Sequence, residues 1–364
     1  MLKPNAFRIT AKQLIFVIIG AQVGTGFFSL PRIASEHADQ NAWISVLLGA
    51  IMPLLTLFLI ERVLRPYPES NLVEVAKKLL GKWLGSLIVI LLILHFVFYA
   101  SVVVRIFAEM VSIFMLPQTP TGVIIFMILI TGVYVIIKGA KITGRANEIL
   151  FYISLFTIAL IVTTVSTGEF TNLLPVGQVS PAALFKGTIN TMYSYAGTEV
   201  LLVYYFFTNQ KNQVLRSGMI AILVTLVTYL IVTLAALLVF GAEYMQGFIW
   251  PVLNLLKVIE LDVFHRLEFL LLATWLGIAI RPTLNLGLAA NVLIVNILKL
   301  DLLRHYPIVT AIVPIIAFVI ASIPKNTAEV FVMANYAGYA SLLGVLVPAV
   351  LYIALLIRGK EVGA

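Results

Sequence analysis

The sequence predicts an all-α polytopic membrane protein: ten transmembrane helices in a five-plus-five inverted repeat, with the first and sixth helices broken. Three observations carry this reading. The chain is 61% hydrophobic and 11% charged, with mean hydropathy +1.07, which is more apolar surface than a soluble core of 364 residues can bury. Its apolar runs are of spanning length, and the cationic residues between them fall almost entirely on one side. Two of the runs are interrupted midway by glycine and polar residues, at Gly24-Thr25-Gly26 and again at Gly197-Thr198.

Ten spans are expected, at about 12–34, 41–64, 84–116, 121–138, 147–167, 181–207, 215–241, 266–297, 307–323 and 334–357. The first run carries Gly20, Gln22, Gly24, Thr25 and Gly26 in its middle. Lipid offers no water to loose backbone groups, so an unwound stretch there must line a cavity. A break at Gly24-Thr25-Gly26 aims freed N–H groups at an anion such as a carboxylate. The competing reading is that these glycines only let two helices pack closely. Asn71 to Gly81 forms a separate unit before the third span. Asn71 with Glu74 three residues on marks a helix start, Leu72, Val75, Ala76, Leu79 and Leu80 make one apolar stripe, and Lys77, Lys78 and Lys82 close it. This pattern predicts a short amphipathic helix on the membrane surface. Segment 242–265 is expected outside, either as a lid over a site or as a loop packed permanently on the bundle.

Orientation follows from the 24 Lys and Arg residues. With the N-terminus inside, 17 of them face the cytoplasm, four (Arg32, Lys257, Arg266, Lys325) face outward, and Lys186, Arg105 and Arg281 lie within spans. This asymmetry predicts both termini inside and an even number of spans. The whole chain, 1–364, is then a single transmembrane domain, with 1–167 as the first inverted repeat and 181–357 as the second. No cleavable signal is expected at Met1–Lys12. The absence of cysteine removes disulfide, iron–sulfur and thiolate metal chemistry. Without a phosphate loop, metal-ligand cluster or nucleophile elbow, neither an enzyme nor a cofactor or metal site is expected.

The sixth span contains Tyr193-Ser194-Tyr195-Ala196-Gly197-Thr198-Glu199. Each broken span opens a set of five, and the two run in opposite directions. Paired breaks in corresponding positions of inverted halves point to a binding site at the membrane midplane. N–H groups near Gly24, Thr25 and Gly26, with Gln22 beside them, suit a carboxylate. Carbonyls near Tyr193, Ser194 and Tyr195 suit an ammonium group. Together they describe a free amino acid, whose apolar side chain would lie against Phe98, Tyr99 or Val102 and against Leu276 to Ile280.

The motif Gly24-Thr-Gly-Phe-Phe-Ser-Leu-Pro-Arg32, with Ala196-Gly-Thr-Glu199 and with Arg266-Leu-Glu268 followed by Trp275, resembles the B subunits of spore germinant receptors. The likeness covers essentially the whole chain. It implies the five-plus-five fold of the amino acid–polyamine–organocation transporter superfamily. It also implies a nutrient-sensing subunit in the inner membrane of a bacterial spore, working with an A and a C subunit. Phe27-Phe28 stands where smaller aliphatics are commoner in that motif.

Ionisable residues at membrane depth are functional candidates. Glu199, just past the second break, is expected to hold the unwound segment, sense a ligand's ammonium group or carry a proton. Arg105 and Glu109, spaced i, i+4, are expected to neutralise each other. Arg281 needs an anion, and Glu199 is the candidate partner. His95 is expected to be a satisfied core histidine. The fifth span contains no lysine, so the lysine device of some proton-coupled relatives is not supported. The leading reading is a nutrient receptor subunit; the rivals are an amino acid transporter with alternating access and a purely structural membrane subunit.

Overall fold

The computed structural model describes residues 4–255, 257–258, 274–275 and 277–361. The described residues are helical throughout, apart from turns and one isolated parallel bridge between Ile9 and Thr208. The first crossing is split into α1 (Ala11–Gln22) and α2 (Gly26–Ala38). Thr10 opens α1 with a capping box: its hydroxyl accepts the Gln13 N–H at 3.2 Å, and the Gln13 side chain accepts the Thr10 N–H at 3.1 Å. Asp39 takes a positive φ of 46° after α2 and turns the chain back. The return runs through α3 (Ala42–Gly49) and α4 (Ile51–Leu64).

α5 (Leu72–Phe114) contains two helices. Asn71 and Glu74 cap its start reciprocally, and Gly81, at φ 81° and ψ 172°, separates the amphipathic turn from the long third span. The expected surface helix is therefore present, joined to the span by one left-handed glycine. α6 (Thr121–Ile136) and α7 (Ala140–Thr164) complete the first half. α7 begins earlier than the expected fifth span because Lys141 and Arg145 extend it beyond the apolar run.

The sixth crossing is the most fragmented: α8 (Pro181–Asn190), α9 (Met192–Tyr195), a short 3₁₀ turn at Thr198–Val200 and α10 (Leu201–Phe207). α11 (Val214–Phe240) follows, then the short helices α12 (Ala242–Met245) and α13 (Pro251–Leu255). Residues 256 and 259–265 of segment 242–265 lie outside the described residues. So does the outer part of the expected eighth span, including Arg266, Glu268 and Leu276. The chain continues as α14 (Arg281–Ile297), α15 (Leu302–Ala321), α16 (Thr327–Ala340) and α17 (Leu343–Glu361). The interruption between α16 and α17 falls inside the expected tenth span and leaves no clear sequence mark.

Seven helical stretches among the described residues are long and apolar enough to cross a membrane, and Ala11–Gln22 and Thr121–Ile136 are shorter apolar helices. The bundle is built inside out for water. Leu94, Phe126 and Ile315 are more than half exposed, as lipid-facing positions require, while the interior combines large apolar and aromatic side chains such as Phe27, Phe96 and Tyr204 with buried polar ones such as Asn147 and Arg281. Of the long stretches, the one containing α14 is the most enclosed, with 83% of its apolar window buried. α14 packs on α1, α5 and α15 and forms the axis against which the broken helices lie.

Candidate functional site

The two breaks touch. Gly197 adopts φ 126°, and a Cβ there would stand 2.6 Å from the backbone of Ala21. Gly26 is pressed against the other half of the sixth crossing, where a Cβ would meet the Ser194 hydroxyl at 2.8 Å. A side chain at Gly24 would strike the ring of Pro282 in α14 at 2.5 Å. Both readings of the first-span glycines therefore hold at once: they permit close packing, and they flank an unwound segment.

Side chains stitch the breaks together. Gln22 Nε2 donates to the Tyr195 carbonyl at 3.1 Å and to the Thr198 hydroxyl at 3.0 Å. The Thr25 and Tyr193 hydroxyls are hydrogen-bonded at 3.1 Å. From α11, the Tyr229 hydroxyl reaches the carbonyls of Gln22 at 2.9 Å and Ser194 at 2.6 Å. From α5, the Tyr99 hydroxyl donates to the Tyr193 carbonyl, and the two rings lie 5.3 Å apart. The carbonyls of Tyr193, Ser194 and Tyr195, expected to receive an ammonium group, thus each accept a hydrogen bond from within the protein. The N–H groups of Gly24, Thr25 and Gly26 have no acceptor among the described residues.

Glu199 is buried and accepts the Gly197 N–H at 2.8 Å through one oxygen and faces His95 Nε2 at 3.0 Å through the other. This corrects the expected pairing of Glu199 with Arg281. The chain turns sharply at Gly197, which aims Glu199 at its own backbone and at α5, where His95 is one turn from Tyr99. α17 closes this region, since a Cβ at Gly344 would lie 3.1 Å from Glu199 Oε2. Arg281 is fully buried; its Nε donates to the Ile278 carbonyl at 3.1 Å, and neither Nη has a partner among the described residues. Arg105 and Glu109 form an ion pair at 2.5 Å. Arg105 also donates to the Pro324 carbonyl, and the Thr327 hydroxyl donates to Glu109 at 2.6 Å, so this pair ties α5 to the start of α16, away from the breaks.

Of the other expected residues, Tyr99 joins the site. Val102 is fully buried on α5 and Phe98 half-buried; no polar contact ties either to the breaks, and Phe98 is turned about 100° from Tyr99 by the helix. Ile280 is half-buried beside Arg281. Phe27 and Phe28 pack on Trp275, with ring centroids 4.2 Å and 4.7 Å away; they anchor α2 to the eighth crossing. Sequence reasoning missed Tyr229. It also missed a polar knot in which Asn147 and Asn285 exchange hydrogen bonds at 2.9 Å and 3.0 Å, with Asn285 also donating to the Val17 carbonyl.

Above the breaks, on the side where α2 ends, lies a cavity of about 370 Å³. Ser29, Arg32, Glu36, Asn190, Tyr193 and Asn335 give it a polar and charged lining. Tyr193 lines this cavity while also contacting Thr25 and Tyr99, so it separates the vestibule from the breaks. On the opposite side the start of the first crossing and the end of the sixth are clamped together. Ile9 N–H donates to the Phe207 carbonyl and Asn209 N–H to the Ile9 carbonyl, both at 3.0 Å, and Ala11 N–H donates to Gln210 at 2.8 Å.

Two unwound helices meeting at a glycine contact, with a central enclosed helix and a vestibule on one side, define a multi-pass membrane protein of the broken-helix, inverted-repeat transporter fold. The same fold appears in the crystal structure of MhsT in complex with L-phenylalanine, at a TM-score of 0.67 and 14% identity, covering 96% of this chain and 89% of that one. The chain belongs to the spore germination protein family, whose model matches residues 8–330. It is 28% identical to spore germination protein YndE of Bacillus subtilis (strain 168) across 94% of both chains. It is 31% identical to spore germination protein KB of the same organism across 74% of both, and 25% identical to spore germination protein GerQB of Bacillus cereus across 75% of both. Family and fold are those of permease-like or receptor proteins rather than enzymes.

Proposed function

We propose that this chain is the nutrient-sensing membrane subunit of a spore germinant receptor and binds a free amino acid where its two broken helices meet. The observation that carries the reading is the pair of touching breaks with the N–H groups of Gly24, Thr25 and Gly26 lacking any acceptor among the described residues. They lie at the N-terminal, positive end of α2, the polarity a carboxylate needs. The ammonium group is received by the second break, at Tyr193, Ser194, Tyr195 or Glu199, once the Tyr99 and Tyr229 hydroxyls move aside. Gln22, Gly197 and Thr198 hold the two breaks in register. We assign Val102, Phe98 and Ile280 to the side-chain end, together with Leu276, which lies outside the described residues. MhsT carries L-phenylalanine, so the fold accommodates an amino acid.

The chain sits in the spore inner membrane with both termini cytoplasmic, which makes the vestibule the outer entrance. Halves 1–167 and 181–357 are the two repeats that move against each other. A and C subunits receive the signal. The test is equilibrium binding of radiolabelled L-amino acids to the purified, reconstituted chain. Saturable binding that is lost in Gly26→Leu, at normal membrane expression, is the expected result; normal binding by that variant removes the site from this break. The closed inner clamp beneath an open vestibule also suits alternating access. Gradient-driven accumulation of the bound amino acid in proteoliposomes would turn the receptor reading into that of a transporter.

A further inference from the structure

Arg281 is buried at the level of the first break, where its neighbour Pro282 meets Gly24, and its two Nη groups meet no acceptor among the described residues. Trp275 is 1% exposed, and its indole N–H has no partner among the described residues. Both side chains line one cavity of about 310 Å³ between α1, α7 and α11. This cavity is separate from the vestibule and lies on the other side of the first break. Its remaining walls are mostly apolar, with Ile19, Val23, Phe151 and Ile231 among them. Leu155, Leu223 and Val227 at its mouth are 48%, 59% and 48% exposed, and they belong to the middle turns of α7 and α11, so the mouth opens to the lipid interior. The other polar lining residues are Ser154 and Thr228, whose hydroxyls donate to carbonyls of their own helices at 2.6 Å and 2.8 Å.

The cavity therefore presents three donor nitrogens without an acceptor among the described residues, two of them on the positively charged guanidinium, and an apolar channel leading from them to lipid. A buried cation with free donors calls for an anion. The planar guanidinium fork matches a carboxylate, which has two oxygens to receive it and lone pairs left for the indole N–H. A phospholipid phosphate sits at the membrane surface, at the wrong depth. A free amino acid would bring an ammonium group, and the lining hydroxyl groups already donate within their own helices while the other polar groups are donors only. We infer that Arg281 and Trp275 form a lipid-facing site for a monocarboxylate with a single apolar tail, a fatty acid or a close analogue. An occupant there would press on Val23, directly before the break, and so bias the arrangement of α1 and α2. This site is independent of the nutrient site proposed above.

The test uses the purified chain in nanodiscs and a palmitate analogue carrying a diazirine, with labelled peptides mapped by mass spectrometry. Labelling is expected to concentrate in residues 151–158 and 223–231. Excess palmitate should suppress it, while the corresponding fatty alcohol and L-phenylalanine should not. Arg281→Gln should lower it at least tenfold, and Val227→Trp, which fills the mouth and leaves the guanidinium in place, should lower it comparably. Displacement by L-phenylalanine as effective as by palmitate would assign the anchor to a free amino acid and overturn the lipid assignment. Labelling spread evenly over lipid-facing helices, equal suppression by the alcohol, or unchanged labelling in a folded Val227→Trp chain would overturn the site altogether. Monodispersity and the thermal midpoint, measured on the same samples, show whether each variant is folded.

Discussion

At Gly197 the backbone takes a conformation that L side chains avoid, and it does so against the backbone of Ala21. Two penalties coincide there. Positive φ outside the usual wells costs a side chain of the order of 1–3 kcal/mol, and the 2.6 Å approach has only backbone on its other side. Gly197→Ala is therefore expected to lower the thermal midpoint of the purified chain and to abolish nutrient binding; a variant that melts and binds like the parent would show that the breaks do not touch in the working protein. Glu199, two residues on, can be dissected by shape and charge. Glu199→Gln keeps an oxygen for the Gly197 N–H and an amide for the His95 ring nitrogen, so the loss in stability should stay near 1 kcal/mol. Glu199→Leu strands both partners and should cost about 3–5 kcal/mol, measured as a drop in the denaturant midpoint. Equal behaviour of the two variants would mean that the hydrogen bonds to Gly197 and His95 carry no weight. These positions were legible because a glycine or a carboxylate inside an apolar run stands out. Tyr229, Asn147 and Asn285 were not. Each is a lone polar residue on the buried face of its helix, and its partner lies many residues away, 138 positions in the Asn147–Asn285 pair, so no local pattern announces it.

Among the elements, the amphipathic helix and its cap could be read from residues 71–82, since capping and periodicity are local physics. Its docking could not. Gly85 packs so tightly under that helix that a Cβ would meet the Ala76 backbone at 2.6 Å, and Arg358 near the end of α17 donates to the Lys78 carbonyl. α17 also carries Gly344, which lies against Glu199. A continuous packed route thus runs from the second break, along α17, to the amphipathic helix. Intermediacy in space is not proof of coupling, and Gly85→Leu tests it. That substitution should lift the amphipathic helix from α5, raise protease cleavage around residues 65–71, leave amino acid binding within about twofold, and abolish germination response. Retained response with the helix displaced would send the signal elsewhere. The division of the tenth span into α16 and α17 escaped the sequence because Ser341-Leu342 sits in an otherwise continuous apolar run, and only its packing around Glu199 gives the interruption a role.

For the molecule as a whole, the two broken helices place an open vestibule on one side and a clamp on the other. The fold class was legible from composition, cation asymmetry and the paired breaks, all of which are summed over many residues. The conformational state was not, because it depends on weak contacts between inner ends 199 residues apart. Those contacts include the Ile9 bridge to Phe207 and Asn209, Gln210 on the Ala11 N–H, and the Phe7 ring against Phe207. A ligand moves such an equilibrium only through unequal affinity for its two states, and a tenfold preference corresponds to roughly 1.4 kcal/mol. Removing one hydrogen bond of the clamp is a perturbation of similar size, about 0.5–1.5 kcal/mol. The chain has no cysteine, so a single introduced thiol reports the opening directly. Thr208, 1% exposed beside the bridge, is shielded when the clamp is shut. In a Thr208→Cys background, Gln210→Ala should raise the rate of thiol labelling from the cytoplasmic side about two- to tenfold, because that rate follows the population of the opened state. An unchanged rate would mean that the clamp does not hold the inner side closed, and that the vestibule and the breaks open and shut without it.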